Sequence, residues 1–250
     1  MNTINLISKM PERYEMREAF KTFRTNVQFS GSDIKVISIT SSTQNEGKSF
    51  VSLELAKSLA ETGKKVLLVD ADLRKSALAD RYVDEKDMLG LSHYLSGQSN
   101  SDEIVYATQF EALYVVFSGP YPPNPVELLG SKKFDEMIEY YRSIFDYIII
   151  DTPPLGLVID AAVVSTKCDG VIINVAANQT SYRSAQFVKK QLERAGCNIL
   201  GAVLNMAEPE NLGYKSSLFY NYYYRRKYNY YYSEDKEQKN FAALNIDNKE

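Results

Sequence analysis

Short β-branched apolar runs alternate along this chain with stretches whose apolar residues recur at helical spacing. The runs predict strands over 35–40, 65–70, 113–118, 147–151, 170–175 and 199–204. Several are apolar at every position, as in Val66-Leu67-Leu68-Val69 and Ile148-Ile149-Ile150. A strand needs that pattern when helices cover both faces of its sheet. Helical spacing predicts helices over 15–28, 48–62 and 181–195, with Gly63 and Gly196 placed to end the last two. Asn124-Pro125 reads as a further helix start, with Asn as N-cap and Pro at the first helical position. Strand and helix in alternation give an α/β fold with a doubly wound, mostly parallel sheet flanked by helices. From Glu208 the periodicity ends, which predicts a flexible tail over 208–250 after a main domain over 31–207 and an N-terminal helical segment over 1–30.

The chemistry gathers at predicted strand ends. The first long strand runs into Thr40-Ser-Ser-Thr-Gln-Asn-Glu-Gly-Lys-Ser49, and a helix follows. That order of strand, loop and helix is what a P-loop requires. Backbone N–H groups of such a loop form a nest for phosphates, Lys48 adds a point charge, and the Ser49 hydroxyl can ligate Mg²⁺. The pattern GxxxxGK[ST] is met imperfectly, because Ser42 replaces its first glycine and Asn45 stands where glycine is common. Asparagine tolerates the left-handed backbone better than other non-glycine residues.

Two further strands end in acids. Val66-Leu-Leu-Val-Asp-Ala-Asp-Leu-Arg74 places Asp70 and Asp72 two residues apart, so that both are expected to face the loop crevice. Tyr147-Ile-Ile-Ile-Asp-Thr-Pro-Pro154 ends in Asp151, a partner for Mg²⁺ through water.

Composition removes most other chemistries. The chain has 250 residues, one histidine and two cysteines. His93 therefore has no partner for a paired-histidine metal site and reads as a packing or surface residue, and Cys168 and Cys197 stand in no metal-ligand spacing. A net charge of −3 argues against a nucleic-acid-coating surface, and no nucleic acid is expected as a partner. No apolar run is long enough to span a bilayer, and residues 1–30 carry no leader-like core, so a cytoplasmic protein is expected.

Tyrosine is the outlier. Of 19 in the chain, nine crowd between 214 and 232: Tyr214, Tyr220, Tyr222, Tyr223, Tyr224, Tyr228, Tyr230, Tyr231 and Tyr232. Lys215, Arg225, Arg226 and Lys227 lie among them, and no acid does. A basic, aromatic strand of this kind suits a nucleic acid or membrane surface as well as an acidic enzyme crevice.

The three motifs together resemble the Walker A, A′ and B motifs of bacterial tyrosine kinases of capsule and exopolysaccharide synthesis, within the P-loop group that includes MinD- and ParA-like ATPases. Glu18-Ala-Phe-Lys-Thr-Phe-Arg-Thr-Asn26 and Pro122-Pro-Asn-Pro-Val-Glu-Leu-Leu129 favour the kinase branch. The resemblance implies a P-loop NTPase fold, ATP and Mg²⁺, and phosphorylation in trans of the C-terminal tyrosines. It implies nucleotide binding by Thr43, Gln44, Asn45, Glu46, Gly47, Lys48, Ser49, Phe50 and Asn205. Catalysis would fall to Lys48, Asp70 and Asp72, with Asp70 favoured as proton acceptor and no unusual pKa required of it. The metal would sit on Ser49, Asp72 and Asp151. Glu18, Lys21 and Arg24 would serve ring-like self-association of octamer size. A separate transmembrane modulator would recruit the enzyme to the inner face of the plasma membrane, and other tyrosine-containing proteins would be substrates. The rival within the same resemblance is a MinD- or ParA-like ATPase driving assembly at a membrane or on DNA. Those relatives usually carry a lysine early in the loop, where this chain has Ser41, Ser42 and Thr43.

Overall fold

The apolar strands assemble in the order β1-β4-β5-β3-β6-β2-β7-β8. Here β1 is Asn2–Ile4, β2 Val36–Ser41, β3 Val66–Asp70, β4 Val105–Thr108, β5 Leu113–Val116, β6 Tyr147–Asp151, β7 Gly170–Ala176 and β8 Ile199–Asn205. The computed structural model describes residues 2–7, 14–85 and 88–207. The chain divides into two units, Met1–Met206 and Ala207–Glu250, and the elements described all belong to the first. Every pairing is parallel except β4 with β5.

Six strands follow the apolar runs, and β1 and β4 are additions. They are three and four residues long, too short to leave a periodic signal. Gln109 holds β1 in place, its side-chain amide accepting from the Leu6 N–H at 2.8 Å and donating to the Leu6 carbonyl at 2.6 Å.

Within the central strands, successive residues serve opposite cores. Val66 and Leu68 pack with Leu55 and Leu59 of α2 (Lys48–Ala60). Leu67 and Val69 pack with Phe134, Met137 and Tyr141 of α6 (Lys132–Arg142). That is the physical content of the unbroken apolar run. The long first helix α1 (Tyr14–Phe29) lies against α2, with Phe20 meeting Phe50 edge-on at 5.8 Å. Arg24 donates to the Ser58 carbonyl of α2 at 2.7 Å. Both β1 and α1 thus pack onto the rest of the described domain.

Between β3 and β4 lie two short helices, α3 (Leu78–Tyr82) and α4 (Leu91–Leu95). The predicted start holds: α5 (Pro125–Leu129) opens with Asn124 at its N-cap position and Pro125 first in the helix, although the Asn124 side chain makes no capping bond, and Gly130 ends it after five residues. Ser131 then caps α6, accepting from the Phe134 N–H. Two more helices, α7 (Asp160–Ser165) and α8 (Tyr182–Arg194), cover the β7 and β8 side, and the Ser181 side chain caps α8.

The sheet order reverses around β2. The chain moves from β2 to β3 on one side of it and later to β7 and β8 on the other. A crevice opens at the carboxyl ends of strands at such a point. The P-loop and both acid-bearing strand ends meet there.

Candidate nucleotide site

Asn45 and Gly47 both adopt left-handed backbone, with φ of 63° and 83°, and this curls residues 42–48 so that the loop enters α2. A Cβ at Gly47 would press on the tip of the Asn205 side chain, and the left-handed φ itself favours glycine there. Behind the loop, Gly156 is equally constrained, since a Cβ would strike the Ser42 carbonyl. Sequence reading passed over Gly156, because only the folded contact reveals it.

The cleft in front of the loop has a volume of about 290 Å³ and is bordered by Gln44, Asn45, Gly47, Lys48, Ser49 and Asp72, with Ser76, Asp80 and Arg81 opposite. Asp70 and Asp151 are register partners on adjacent strands, buried at 0% and 1% exposure rather than lining the cleft. Burial raises the pKa of Asp151, while Lys48 and the Ser49 and Ser52 hydroxyls pull against it. Asp70 is driven well above the usual carboxylate range by burial first, then by the charge of Asp151.

The expectation that Asp70 and Asp72 face the cleft side by side changes. The strand ends at Asp70, and the backbone turns so that the Asp72 N–H donates to Asp70 Oδ1 at 3.1 Å. Asp72 borders the cleft, whereas Asp70 does not and accepts a hydrogen bond from Ser76, which does border it. Asp72 in turn accepts the N–H groups of Arg74 and Lys75. Arg74 reaches across to Asp160 at 2.8 Å, tying this loop to the segment that follows β6.

A family model described as an AAA domain covers residues 34–196. The chain is 43% identical over 198 residues to the tyrosine-protein kinase CpsD of Streptococcus agalactiae, across 79% of this chain and 86% of that protein. The chain belongs to the bacterial tyrosine-protein kinases. Among solved structures, the kinase domain of the Escherichia coli tyrosine kinase ETK is similar with a TM-score of 0.72 and 32% identity, over 76% of this chain and 74% of that one. The septum site-determining protein MinD of Pyrococcus horikoshii, complexed with Mg-ADP, is similar with a TM-score of 0.60 and 27% identity, over 74% and 76% of the two chains.

In this kinase some expected contacts lie off the cleft. The Phe50 ring packs on α1, and the Glu46 carboxylate turns inward to accept the Ser42 N–H and the Thr43 hydroxyl, each at 2.9 Å. Asn205 touches the loop from behind, donating to the Glu46 carbonyl at 3.1 Å. Of the proposed association residues, Lys21 pairs with Glu18 at 2.7 Å, and Arg24 is engaged with Ser58. The nine clustered tyrosines lie outside the described residues. His93 accepts the Gly90 N–H at 3.1 Å within α4, in keeping with a packing role.

The oxygen donors at the cleft suit Mg²⁺. Among the described residues no set of three acidic, histidine or cysteine side chains could cage an ion alone. A Mg²⁺ site commonly takes one or two carboxylates and fills the rest of its shell with phosphate oxygens and water, and Ser49, Asp72 and Asp151 fit that demand. Among the described residues, no helix is long and apolar enough to cross a membrane.

Proposed function

We propose that this kinase uses Mg-ATP in the cleft beside Lys48 to phosphorylate tyrosines of its own C-terminal segment in trans, as part of capsule or exopolysaccharide synthesis. The observation that carries the reading is the P-loop opening on a cleft that Asp72 borders, with Asp70 and Asp151, register partners at the ends of β3 and β6, buried nearby. Phosphoryl transfer passes through a loose transition state, so positioning and charge neutralisation supply most of the catalysis. Lys48 neutralises charge on the transferring group, and the loop N–H groups orient it. Ser49, Asp72 and Asp151 would hold Mg²⁺, which would supply neutralisation of phosphate charge. Asp70 remains the proton acceptor, reached through Ser76: the phenolic proton passes to Ser76 Oγ as the Ser76 proton moves to Asp70.

The tail is the favoured substrate on charge grounds. Its four cations among nine tyrosines give +4, and at about −1.5 to −2 per phosphotyrosine full modification would bring it to roughly −9 to −14. Modification would reverse the sign of the tail's charge and so change its affinity for a neighbour's cleft. The reading includes a ring-like homo-oligomer, in which Glu18 and Lys21 are the association residues left at the surface. It also includes a transmembrane modulator that recruits the cytoplasmic enzyme to the membrane, and other tyrosine-containing substrates. The absence of an early P-loop lysine weighs against a MinD-like assembly ATPase.

Incubation with labelled ATP tests this. Wild type should label on tyrosine, Lys48→Met should not, and a variant with all nine tail tyrosines changed to Phe should lose most of the signal. Release of free phosphate without phosphotyrosine would favour the ATPase instead.

A further inference from the structure

The P-loop lacks glycine at two customary places, yet Glu46 fastens it on three sides. This residue is 1% exposed and its carboxylate points away from the cleft. One oxygen accepts the Ser42 N–H at 2.9 Å. The other accepts the hydroxyls of Thr43 at 2.9 Å and Thr180 at 2.7 Å. Thr180 is itself fixed, accepting the Ala176 N–H at the end of β7 at 3.0 Å. The Glu46 carbonyl takes two more bonds, from Nδ2 of Asn174 on β7 at 2.7 Å and Nδ2 of Asn205 on β8 at 3.1 Å.

A negative charge under an anion-binding loop opposes the phosphates the loop receives. Its presence therefore calls for a structural gain that outweighs this. Only an ionised carboxylate accepts from several donors at once without donating. Glutamine in its place keeps one acceptor oxygen: with Oε1 on the Ser42 N–H, its amide N–H₂ faces the Thr43 and Thr180 hydroxyls, which can turn to accept it but lose the acceptor for their own protons. A buried hydroxyl proton left without an acceptor is costly.

We propose that Glu46 is the positioning residue of the nucleotide site. Its carboxylate clamps the loop in its phosphate-binding curve, and its carbonyl fixes Asn205 behind Gly47. Thr180 serves as the outer anchor. One residue thus holds the phosphate loop to the ends of β7 and β8. The inference rests on the reading that this cleft binds Mg-nucleotide, and not on tyrosine being the acceptor.

The test uses the full chain as wild type, Glu46→Gln, Thr180→Val and the double variant. MgADP affinity is measured by titration calorimetry, kcat and KM for ATP by turnover, and Tm by thermal melting. Glu46→Gln should weaken MgADP binding about tenfold, with the larger share of the kinetic loss in KM, and Thr180→Val about threefold. The double variant should be no weaker than Glu46→Gln alone, because Thr180 acts through Glu46. Affinity within about twofold of wild type in both single variants, whatever the change in Tm, would overturn the proposal. So would losses that multiply in the double variant. A wild type that binds MgADP but labels no tyrosine would defeat the kinase reading and leave this inference standing. A wild type that binds no MgADP would defeat both.

Discussion

The two ends of the central sheet treat aspartate in opposite ways. At the carboxyl ends of β3 and β6, Asp70 and Asp151 lie buried side by side, and burial holds both carboxyls above their usual range. At the amino end of β7, burial also pushes Asp169 up, but its hydrogen bonds win. Arg142 grips it with two bonds of 2.9 Å, the Lys35 and Val36 N–H groups add two more, and its pKa falls below normal. At that end the carboxylate's charge is met by groups of the chain itself. The other carries charge that a bound metal and nucleotide would complete, and that end borders the cleft. Unmet electrostatic demand at a pocket is where binding energy is available for function.

The contrast can be broken at its active end first. Lys48→Met should lower tyrosine phosphorylation about a thousandfold while circular dichroism stays native, as loss of a group placed on developing charge does. Residual labelling within about tenfold of wild type would remove Lys48 from the chemistry. Next is Gly156→Ala, whose Cβ would push the Ser42 carbonyl and hence the loop. Roughly a hundredfold loss in kcat/KM for ATP is expected, the scale of a displacement of about 1 Å.

At the amino end of β7, Asp169→Ala strands Arg142 and two backbone N–H groups. It should cost about 2–3 kcal/mol in denaturant unfolding and leave turnover per folded molecule near wild type. A large turnover defect there would mean the two ends are not separable.

The smallest effects sharpen the comparison through pH. A depressed folded pKa gives stability that is present above the unfolded pKa and lost as pH falls through the folded one. The penalty of Asp169→Asn should therefore be full at neutral pH and fade in acid. Asp70 has the opposite sign. Its folded pKa is raised, so its contribution is favourable in acid and is lost as pH rises through that pKa. Asp70→Asn should raise Tm by a few degrees at neutral pH, with the gain vanishing in acid, even as phosphorylation fails. A Tm that fell at neutral pH would show that the bonds to Ser76 and Asp72 outweigh the burial of charge.

The sequence by itself determined the central strands, the covered faces, the order of the three motifs and the kinase kinship, because these are written in local periodicity and in residues close along the chain. Val66 to Val69 announce two cores without any knowledge of what fills them. Other facts were left to tertiary structure. The strands β1 and β4 are too short to carry a pattern. The setting of Asp70 off the cleft that Asp72 borders depends on how the backbone turns after β3. Arg24, read as an association residue, found Ser58 on the next helix, and Glu46, read as a nucleotide contact, found Thr180, 134 positions away. A side chain chooses its partner by distance in space, and chain closure alone decides which distant residues come within about 3 Å of one another.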